Sequence, residues 1–327
     1  MRRFCYLLFI GLLAVSCGQD ETIKVNIAKA MKQRVSAKDL YSEVEVIPLC
    51  CPAGVAPGQQ GRVVLEVTAD RFFLLDRARN EVLVFDREGA YLTAVKRAAE
   101  ILDISVYGDR ILDVLTADAV AEYAAGDCSL LAEYPFQNED VTLYSAARID
   151  EDWIQMCGSK EGLAYDCSYL TGKGRFYATK SSGPLPGSSV PAREFRRSRY
   201  FRSGGVTYFF LSRSGWIFRF WPDDGFITPS LTWDFGKWTP TFTNVQRTDE
   251  RVYLAYEADG QEGVLVYDVA RKSGKAISQT VEGLAFPLGV IYAGSNYFCC
   301  SAEDLPRYLP TDRLGGEEGF LVLRFAL

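Results

Sequence analysis

A β-rich pattern that recurs six times along the chain restricts the fold more than any other feature of the sequence. The first copy spans 70–95, where three apolar runs alternate with polar turns. Later copies begin at Asp109, Asp152, Gly205, Glu250 and Ser295, so successive starts are 39, 43, 53, 45 and 45 residues apart. A period of about 40 to 50 residues with several short strands per copy is typical of four-stranded propeller blades, whereas helical repeats would show a 3.6-residue pattern. The sequence therefore predicts an all-β fold, a six-bladed β-propeller.

The sixth copy contains only three β runs before the chain ends, so its blade lacks a strand. An unused β run at 44–49 precedes the first copy. We expect it to complete the last blade, because joining the first and last blades closes the ring and covers an edge that otherwise invites aggregation. Pro48 suits an outermost strand, where a missing N–H is tolerated. The propeller is predicted to span 44–327.

The first 16 residues predict an export signal with a basic start and an apolar run over 4–15. That run is too short to span a bilayer, which takes about 20 residues. The sequence 13–17 resembles the lipobox of bacterial lipoproteins, so Cys17 is predicted to carry a lipid and 17–43 to form a tether. The alternative is an ordinary secretory signal with an incidental cysteine. By resemblance to Gram-negative lipoproteins, Gly18 and the acidic residues behind it favour a surface-exposed lipoprotein anchored in the outer membrane, with a periplasmic location as the alternative.

The chain contains no histidine, which excludes Ser-His-Asp triads, Cys-His nucleophiles and His-ligated zinc. Its formal charge of −6 argues against a nucleic-acid partner. After removal of Cys5 and lipidation of Cys17, seven of the nine cysteines remain, and their spacing does not fix any disulfide. Most of these cysteines are predicted to be small buried residues, and a four-thiolate metal site is the remote alternative, since no Cys-x-x-Cys pair occurs. No metal site and no cofactor are predicted.

Aromatic residues concentrate in the fourth copy, which holds four of the five tryptophans. Strict alternation along 216–221 places Trp216, Phe218 and Phe220 on one face and Ile217, Arg219 and Trp221 on the other. An indole beside a guanidinium suits the stacking and hydrogen bonding of a sugar ring. This pattern predicts a ligand-binding platform whose candidate residues are Arg219, Trp221, Trp233 and Trp238. Ordinary packing between blades is the alternative.

An arginine-rich run precedes this copy, with five arginines within 193–202. Planar arginine donors bind phosphate or carboxylate groups in a bidentate manner. Arg196, Arg197 and Arg199 are therefore candidates for an anion-binding site. The alternative is a solvated strand end, because the excess of basic charge is local.

The segments 42–49 and 75–86 together with Gly89 resemble the opening of six-bladed β-propeller lipoproteins from Gram-negative gut anaerobes. In place of that family's glycine-rich loop, this chain has 96–100 with the sequence Lys-Arg-Ala-Ala-Glu. The resemblance implies a propeller scaffold without an assigned activity.

Two functions remain open. The leading hypothesis is a non-enzymatic module that binds a glycan or a protein partner. The other is a carboxylate-dependent enzyme that cleaves glycans, which needs no histidine. With 42 acidic residues, the sequence does not identify a catalytic pair. Two carboxylates at the ring centre would favour the enzyme, and an apolar axis would favour the binding module.

Overall fold

The structure is a computed structural model that describes 21–24, 34–52, 64–135, 141–160, 163–171, 175–177, 198–212, 214–221, 226–258, 260–310 and 319–327. These residues form 27 β-strands and two short 3-10 helices, at Ala37–Asp39 and Ala302–Arg307. No helix among the described residues is long and apolar enough to span a membrane.

Twenty-four of the strands form six four-stranded antiparallel sheets, which we call blades 1 to 6. Blade 1 comprises β4 (Val64–Val67), β5 (Arg71–Asp76), β6 (Glu81–Asp86) and β7 (Tyr91–Lys96). Blade 2 comprises β8 (Ile101–Tyr107), β9 (Ile111–Thr116), β10 (Ala119–Ala124) and β11 (Leu130–Pro135). Blade 3 comprises β12 (Val141–Arg148), β13 (Trp153–Lys160), β14 (Leu163–Leu170) and β15 (Arg175–Tyr177).

The remaining blades follow the same order. Blade 4 comprises β16 (Arg199–Ser203), β17 (Val206–Leu211), β18 (Trp216–Trp221) and β19 (Phe226–Asp234). Blade 5 comprises β20 (Thr241–Arg247), β21 (Arg251–Ala258), β22 (Gln261–Asp268) and β23 (Ser273–Ile277). Blade 6 comprises β25 (Val290–Tyr292), β26 (Ser295–Ser301), β27 (Phe320–Ala326) and, from the other end of the chain, β3 (Glu43–Pro48).

The six blades form a closed ring around an axis lined by the first strand of each blade. β4 contacts β8, β8 contacts β12, β12 contacts β16, and β20 contacts β25, which in turn contacts β4. Hydrogen bonds from Arg199 to Asn244 and Val245 join β16 to β20. The predicted six-bladed architecture is confirmed, and every repeat start named from the sequence lies at or just before the second strand of a blade.

The core lies between blades. Buried residues form six hydrophobic clusters, one at each junction between neighbouring blades. Because successive side chains of a strand point to opposite faces of the sheet, each strand contributes side chains to both junctions of its blade. On β5, Phe72 and Leu74 pack towards blade 6, whereas Phe73 and Leu75 pack towards blade 2. Since neither face of a blade is solvated, each blade depends on both neighbours for burial.

The N-terminal strand completes blade 6 as predicted. β3 pairs antiparallel with β27 over six residues, from Glu43 opposite Ala326 to Pro48 opposite Leu321. The expected position of Pro48 on the outermost strand is also confirmed.

Part of the segment predicted as a tether also pairs with the ring. β1 (Glu21–Lys24) runs parallel to β19 on the outer edge of blade 4. β2 (Arg34–Val35) pairs with β24 (Gln279–Thr280) beyond blade 5. Both strands fall within the segment 17–43 that is predicted as a tether, and they pair here because the outer strands of the blades offer backbone groups to a passing chain.

A buried ion cluster joins blades 2 and 3. The Arg148 guanidinium donates to both carboxylate oxygens of Asp113, at 2.8 and 2.6 Å, and to Glu122 Oε2 at 2.9 Å. Tyr134 donates to the same Glu122 oxygen at 2.7 Å. Burial raises the pKa of Asp113, while Arg148 opposes that shift. Removing one partner of such a cluster leaves an uncompensated buried charge, which is strongly destabilising.

Gly89 allows the closing strand to dock against blade 1. Its φ of +87° lies in the region that favours glycine, and a Cβ at this position would lie 2.1 Å from the Pro48 carbonyl oxygen. Just beyond β3, the Cys50 N–H donates a hydrogen bond of 2.8 Å to the Gly89 carbonyl oxygen, which joins the closing strand to blade 1. The turn at Gly89 therefore fixes how the end of β3 meets the first blade.

Replacing Gly89 with alanine should destabilise the protein by about 2–4 kcal/mol, since the new methyl group clashes with backbone and the φ is unfavourable. The matched control is Gly283→Ala, with a φ of +82° and open space around the added atom, which should cost only about 1 kcal/mol. Urea unfolding midpoints of the two variants measure the difference. Equal destabilisation would show that contact with Pro48 is unimportant.

Candidate binding site at the axis of the ring

Polar side chains line the axis because bulges redirect three of the inner strands. The pairing of first and second strands shifts register just before Asp103 on β8, before Ser145 on β12 and before Asn244 on β20. A bulge bends its strand and re-aims the side chains beside it, and bulges are common next to functional sites. The bulge positions correspond closely between blades, so the three polar residues approach the axis at a similar level.

Glu66 on β4 contributes a carboxyl group to the axis. Its strand neighbours Leu65 and Val67 are buried in the junction with blade 6, so Glu66 faces the opposite way. Burial is the main reason that the pKa of Glu66 rises to about 8. The positive charge of Arg199 lowers this pKa by a smaller amount, and Asp103 raises it. Blade 4, which carries Arg199, lies across the ring from blade 1. Because the first strand of each blade lines the axis, Glu66 on β4 lies there, and with this pKa its carboxyl group is mostly protonated at neutral pH.

Asp103 provides the second carboxyl group. Its Oδ2 accepts a hydrogen bond of 3.3 Å from the Ala146 N–H on blade 3. Burial raises its pKa, while a hydrogen bond from Ser145 and the charges of Arg199 and Arg77 act in the opposite direction. The two carboxyl groups therefore share an environment that disfavours simultaneous ionisation.

Arg199 is held at the axis by blade 5. Its Nη2 donates to Asn244 Oδ1 at 2.6 Å and to the Val245 carbonyl at 2.9 Å. The Asn244 amide in turn donates to the carbonyls of Leu288 and Gly289, each at 2.9 Å, on the approach to blade 6. These bonds form a polar belt from blade 4 to blade 6 that fixes the guanidinium.

One end of the axis is bridged by side chains. We call this end the turn face, because it carries the turns between the first and second strands of the blades, such as 108–110 and 293–294. The opposite end is the loop face, and it carries the connections between blades, such as 97–100 and 235–240. On the turn face, the Arg202 guanidinium lies 4.8 Å from the centre of the Tyr107 ring, reaching past blade 3. The Tyr292 hydroxyl donates to Asp109 Oδ2 at 2.6 Å, reaching past blade 1. Both contacts join blades that are not neighbours.

Two of the predicted platform residues do lie together, but away from the axis. The Arg219 guanidinium carbon is 3.8 Å from the centre of the Trp221 ring, and both side chains are exposed on β18. The Trp221 indole N–H donates to the Thr228 hydroxyl at 2.9 Å. The predicted alternation is confirmed for the other face, where Phe218 and Phe220 pack against blade 3. A ligand role for Arg219 and Trp221 stays a prediction.

Trp233 and Trp238 lie apart from the Arg219–Trp221 pair, and a ligand role for them stays a prediction. Trp233 is only 5% exposed, and its indole N–H donates to the Gly215 carbonyl at 2.8 Å. Its ring packs edge-on against Tyr267 in the junction between blades 4 and 5. Trp238 is half-buried against the same cluster. Both indoles serve packing, the alternative that the sequence left open.

The predicted anion-binding arginines and the lipidation site are described only in part. Arg199 belongs to the axial belt, and its contacts there are to polar groups of blade 5. Arg196, Arg197 and Cys17 lie outside the described residues, as does the predicted signal peptide. Within the described part of the chain, no group of three or more acidic or cysteine side chains could hold a metal ion.

Sequence reasoning missed Glu66, Asp103 and Asn244. The available signal was a single polar residue inside an otherwise apolar strand, as in Val64-Leu-Glu-Val67 and Ile101-Leu-Asp-Ile104. A buried polar residue carries more information than an exposed apolar one. The pattern becomes interpretable only when the first strand of each blade is known to line the axis.

A family match covers the N-terminal part of the chain. Residues 16–100 match the DUF5128 family, which is described as 6-bladed beta-propeller. The chain is a six-bladed β-propeller. No curated protein sequence matches it.

Solved structures share this fold at low sequence identity. A Bacteroides fragilis protein that is described as exported has a TM-score of 0.66 and 11% identity, over 93% of this chain and 98% of that one. A member of the DUF4221 family from Bacteroides vulgatus has a TM-score of 0.58 and 8% identity, over 87% of this chain and 96% of that one. A streptogramin B lyase has a TM-score of 0.51 and 12% identity, over 78% of this chain and 80% of that one. At these identities the likeness concerns the fold alone.

Glu66 should make the stability of the propeller depend on pH. Its pKa of about 8 in the folded state exceeds the ordinary value of 4.5, so between these pH values the folded state holds the extra proton. The free energy of unfolding therefore falls as pH rises through this window. Glu66→Gln should remove the decline, so that the variant gains stability relative to wild type from pH 5 to pH 9. Urea midpoints across this range test the sign, and parallel curves for the two proteins would contradict it.

Proposed function

We propose that this propeller is a surface-exposed outer-membrane lipoprotein that binds a small, uncharged, hydroxyl-rich ligand of the carbohydrate class at its axis. The supporting observation is the lining of the axis, where Glu66, Asp103, Arg199 and Asn244 replace the apolar packing found between blades. A ligand at the axis contacts polar groups from blades 1, 2, 4 and 5 together.

The electrostatics of the axis favour an uncharged ligand. Glu66 is mostly protonated at neutral pH, so it both donates and accepts hydrogen bonds. The Asp103 carboxyl group and the Arg199 guanidinium face the same axis. A phosphate would meet Asp103, and a cation would meet Arg199, whereas hydroxyl groups pair with both. The bridged turn face makes the loop face the side from which this ligand enters.

The anchoring part of the proposal rests on the sequence. The signal over 1–16, the lipobox ending at Cys17 and the acidic residues behind it support export, lipidation and surface exposure. The Bacteroides fragilis protein of similar fold is itself described as exported. Mass spectrometry of the mature N-terminus tests the lipid directly.

A printed array of neutral and acidic oligosaccharides tests the ligand class, followed by calorimetric titration of any ligand found. Glu66→Ala should weaken binding at least tenfold, because it removes a donor and acceptor at the centre of the site. Trp221→Ala is the matched control, since Trp221 lies on the outer part of blade 4. Weakened binding in the Trp221 variant alone would place the site on the Arg219–Trp221 platform instead. Binding of acidic glycans only would contradict an uncharged ligand.

Glycan cleavage is the second candidate. The axis is polar and carries two carboxyl groups, Glu66 and Asp103, which is the arrangement expected from the sequence to favour an enzyme, and the raised pKa of Glu66 also favours it. An uncharged carboxylic acid near a second carboxyl group is the arrangement that supplies a general acid and a base or nucleophile. Under this alternative, Glu66→Gln and Asp103→Asn abolish turnover of a bound glycan while leaving its affinity within a few-fold. Under the binding proposal, the wild-type protein returns the glycan intact after prolonged incubation. Product analysis by chromatography separates the two functions.

A further inference from the structure

A cavity opens on the turn face where blades 2 and 3 meet. Its volume of about 380 Å³ lies within the range of about 300–1,000 Å³ that is usual for sites that hold small organic groups. Blade 2 contributes residues from the start of β9, from β10 and from β11. Blade 3 contributes the turn before β13 and the residue that follows β14.

The apolar packing between these two blades is small. The cluster at this junction contains six buried apolar residues, fewer than any other junction in the described part of the chain. Towards the turn face, the buried ion cluster of Arg148, Asp113 and Glu122 takes the place of apolar side chains. Glu122 belongs both to this cluster and to the lining of the cavity.

Glu122 presents one carboxylate oxygen to the cavity. Its side chain is 13% exposed, and its Oε2 accepts hydrogen bonds from Arg148 and from Tyr134. Because both donors converge on this oxygen, they fix the direction of the carboxylate. The other oxygen, Oε1, accepts no hydrogen bond from any residue that the structure describes. It is therefore available to a donor that enters the cavity.

The rim of the cavity is acidic. Glu151 and Asp152 lie on the exposed turn between β12 and β13. Arg110 pairs with Glu151 at 3.5 Å, whereas Asp152 forms no ion pair with a described residue. The described lining thus carries three carboxyl groups against one guanidinium, which is itself paired. An ammonium or guanidinium group complements this lining, whereas a phosphate or carboxylate is repelled by it.

Ile111 and Leu131 form the apolar part of the lining. Leu131 is the extra residue of a β-bulge, because Glu122 pairs with Ala132 and the next residue of β10 pairs with Leu130. Bulges re-aim side chains and are common next to functional sites. Leu131 is 54% exposed, which few large apolar residues of the described chain are. The alkyl stem of a basic side chain would cover this surface.

We propose that this cavity binds a lysine or arginine side chain presented by a protein partner, with the cationic group on Glu122 and Asp152 and the alkyl stem on Leu131. The rim is open, since the Arg110 and Glu151 side chains are 69% and 77% exposed. An open rim fits a side chain on the surface of a partner, because free small ligands are usually enclosed more fully. This interaction surface depends neither on the axial ligand nor on the lipid anchor.

NMR titration of the full chain with two capped peptides tests the charge recognition. The peptides are acetyl-Gly-Lys-Gly-amide and acetyl-Gly-norleucine-Gly-amide, and norleucine keeps the lysine stem without the ammonium group. The lysine peptide should bind about tenfold more tightly, because a hydrogen-bonded charge pair forms only with lysine. Glu122→Gln should weaken its binding about fivefold, since the amide oxygen still accepts from Arg148 and Tyr134 but the charge is lost.

Asp152→Asn provides a second variant that leaves the buried ion cluster untouched. It should weaken binding of the lysine peptide about twofold, because Asp152 is an exposed charge. This variant decides the question if the Glu122 variant does not fold. Glu250→Gln is the matched control, since Glu250 is an exposed carboxylate at the corresponding turn of blade 5, between β20 and β21. The control should retain wild-type affinity.

Four outcomes would overturn the inference. Equal affinity for the two peptides would show that the charge is not recognised. Wild-type affinity in both the Glu122 and Asp152 variants would place the binding elsewhere. Equal weakening by Glu250→Gln would indicate general attraction to an acidic protein. Binding of free butylamine without binding of the lysine peptide would show that the cavity takes a small amine instead of a side chain of a protein partner.

Discussion

The pairing of β3 with β27 is the interaction on which the rest of the structure depends. Neither face of a blade is solvated, so each blade obtains its buried surface from two neighbours. A ring of such blades is stable only when the first meets the last, and a strand from the N-terminus joins them by backbone hydrogen bonds along six residues. Gly89 adds a second link, because it lets the chain beyond β3 reach the edge of blade 1. The axis exists as a site only because this closure holds the inner strands at a fixed spacing.

Much of the fold could be predicted because its signals are local. Apolar runs at a regular period gave the six blades, and the missing strand of the last copy pointed to the unused run before the first. The N-terminal pairings of β1 and β2 could not be predicted, because a two- or four-residue strand has no periodicity of its own and pairs wherever an outer edge is free. The same sequence reasoning assigned Trp233 to a ligand, although packing between blades uses large aromatic side chains for burial.

The candidate site was harder to predict because its residues come from different blades. Glu66, Asp103 and Asn244 are separated by many residues in the sequence and meet only after the ring has formed. The side chains of Asp103 and Asn244 are directed to the axis by bulges. A bulge interrupts the regular alternation of side chains on which a prediction from sequence depends. Arg199 was singled out for its arginine-rich surroundings, yet its position at the axis depends on the single arginine and its hydrogen bond to Asn244. The arginine at this position was a useful signal for a polar site, whereas the number of arginines around it was not.

The location of the closing strand has a consequence for biogenesis. β3 lies near the start of the described chain, whereas its partner β27 (Phe320–Ala326) follows all the other described strands, so the two are made far apart in time. Until β27 is available, blade 6 lacks a strand and the ring has one open seam, with unpaired strand edges that are prone to aggregation. A nonsense mutation or a proteolytic cut before β27 removes far more than one strand, because it leaves the seam permanently open. Completion of the ring therefore depends on the segment Phe320–Ala326, and damage there affects every blade rather than one.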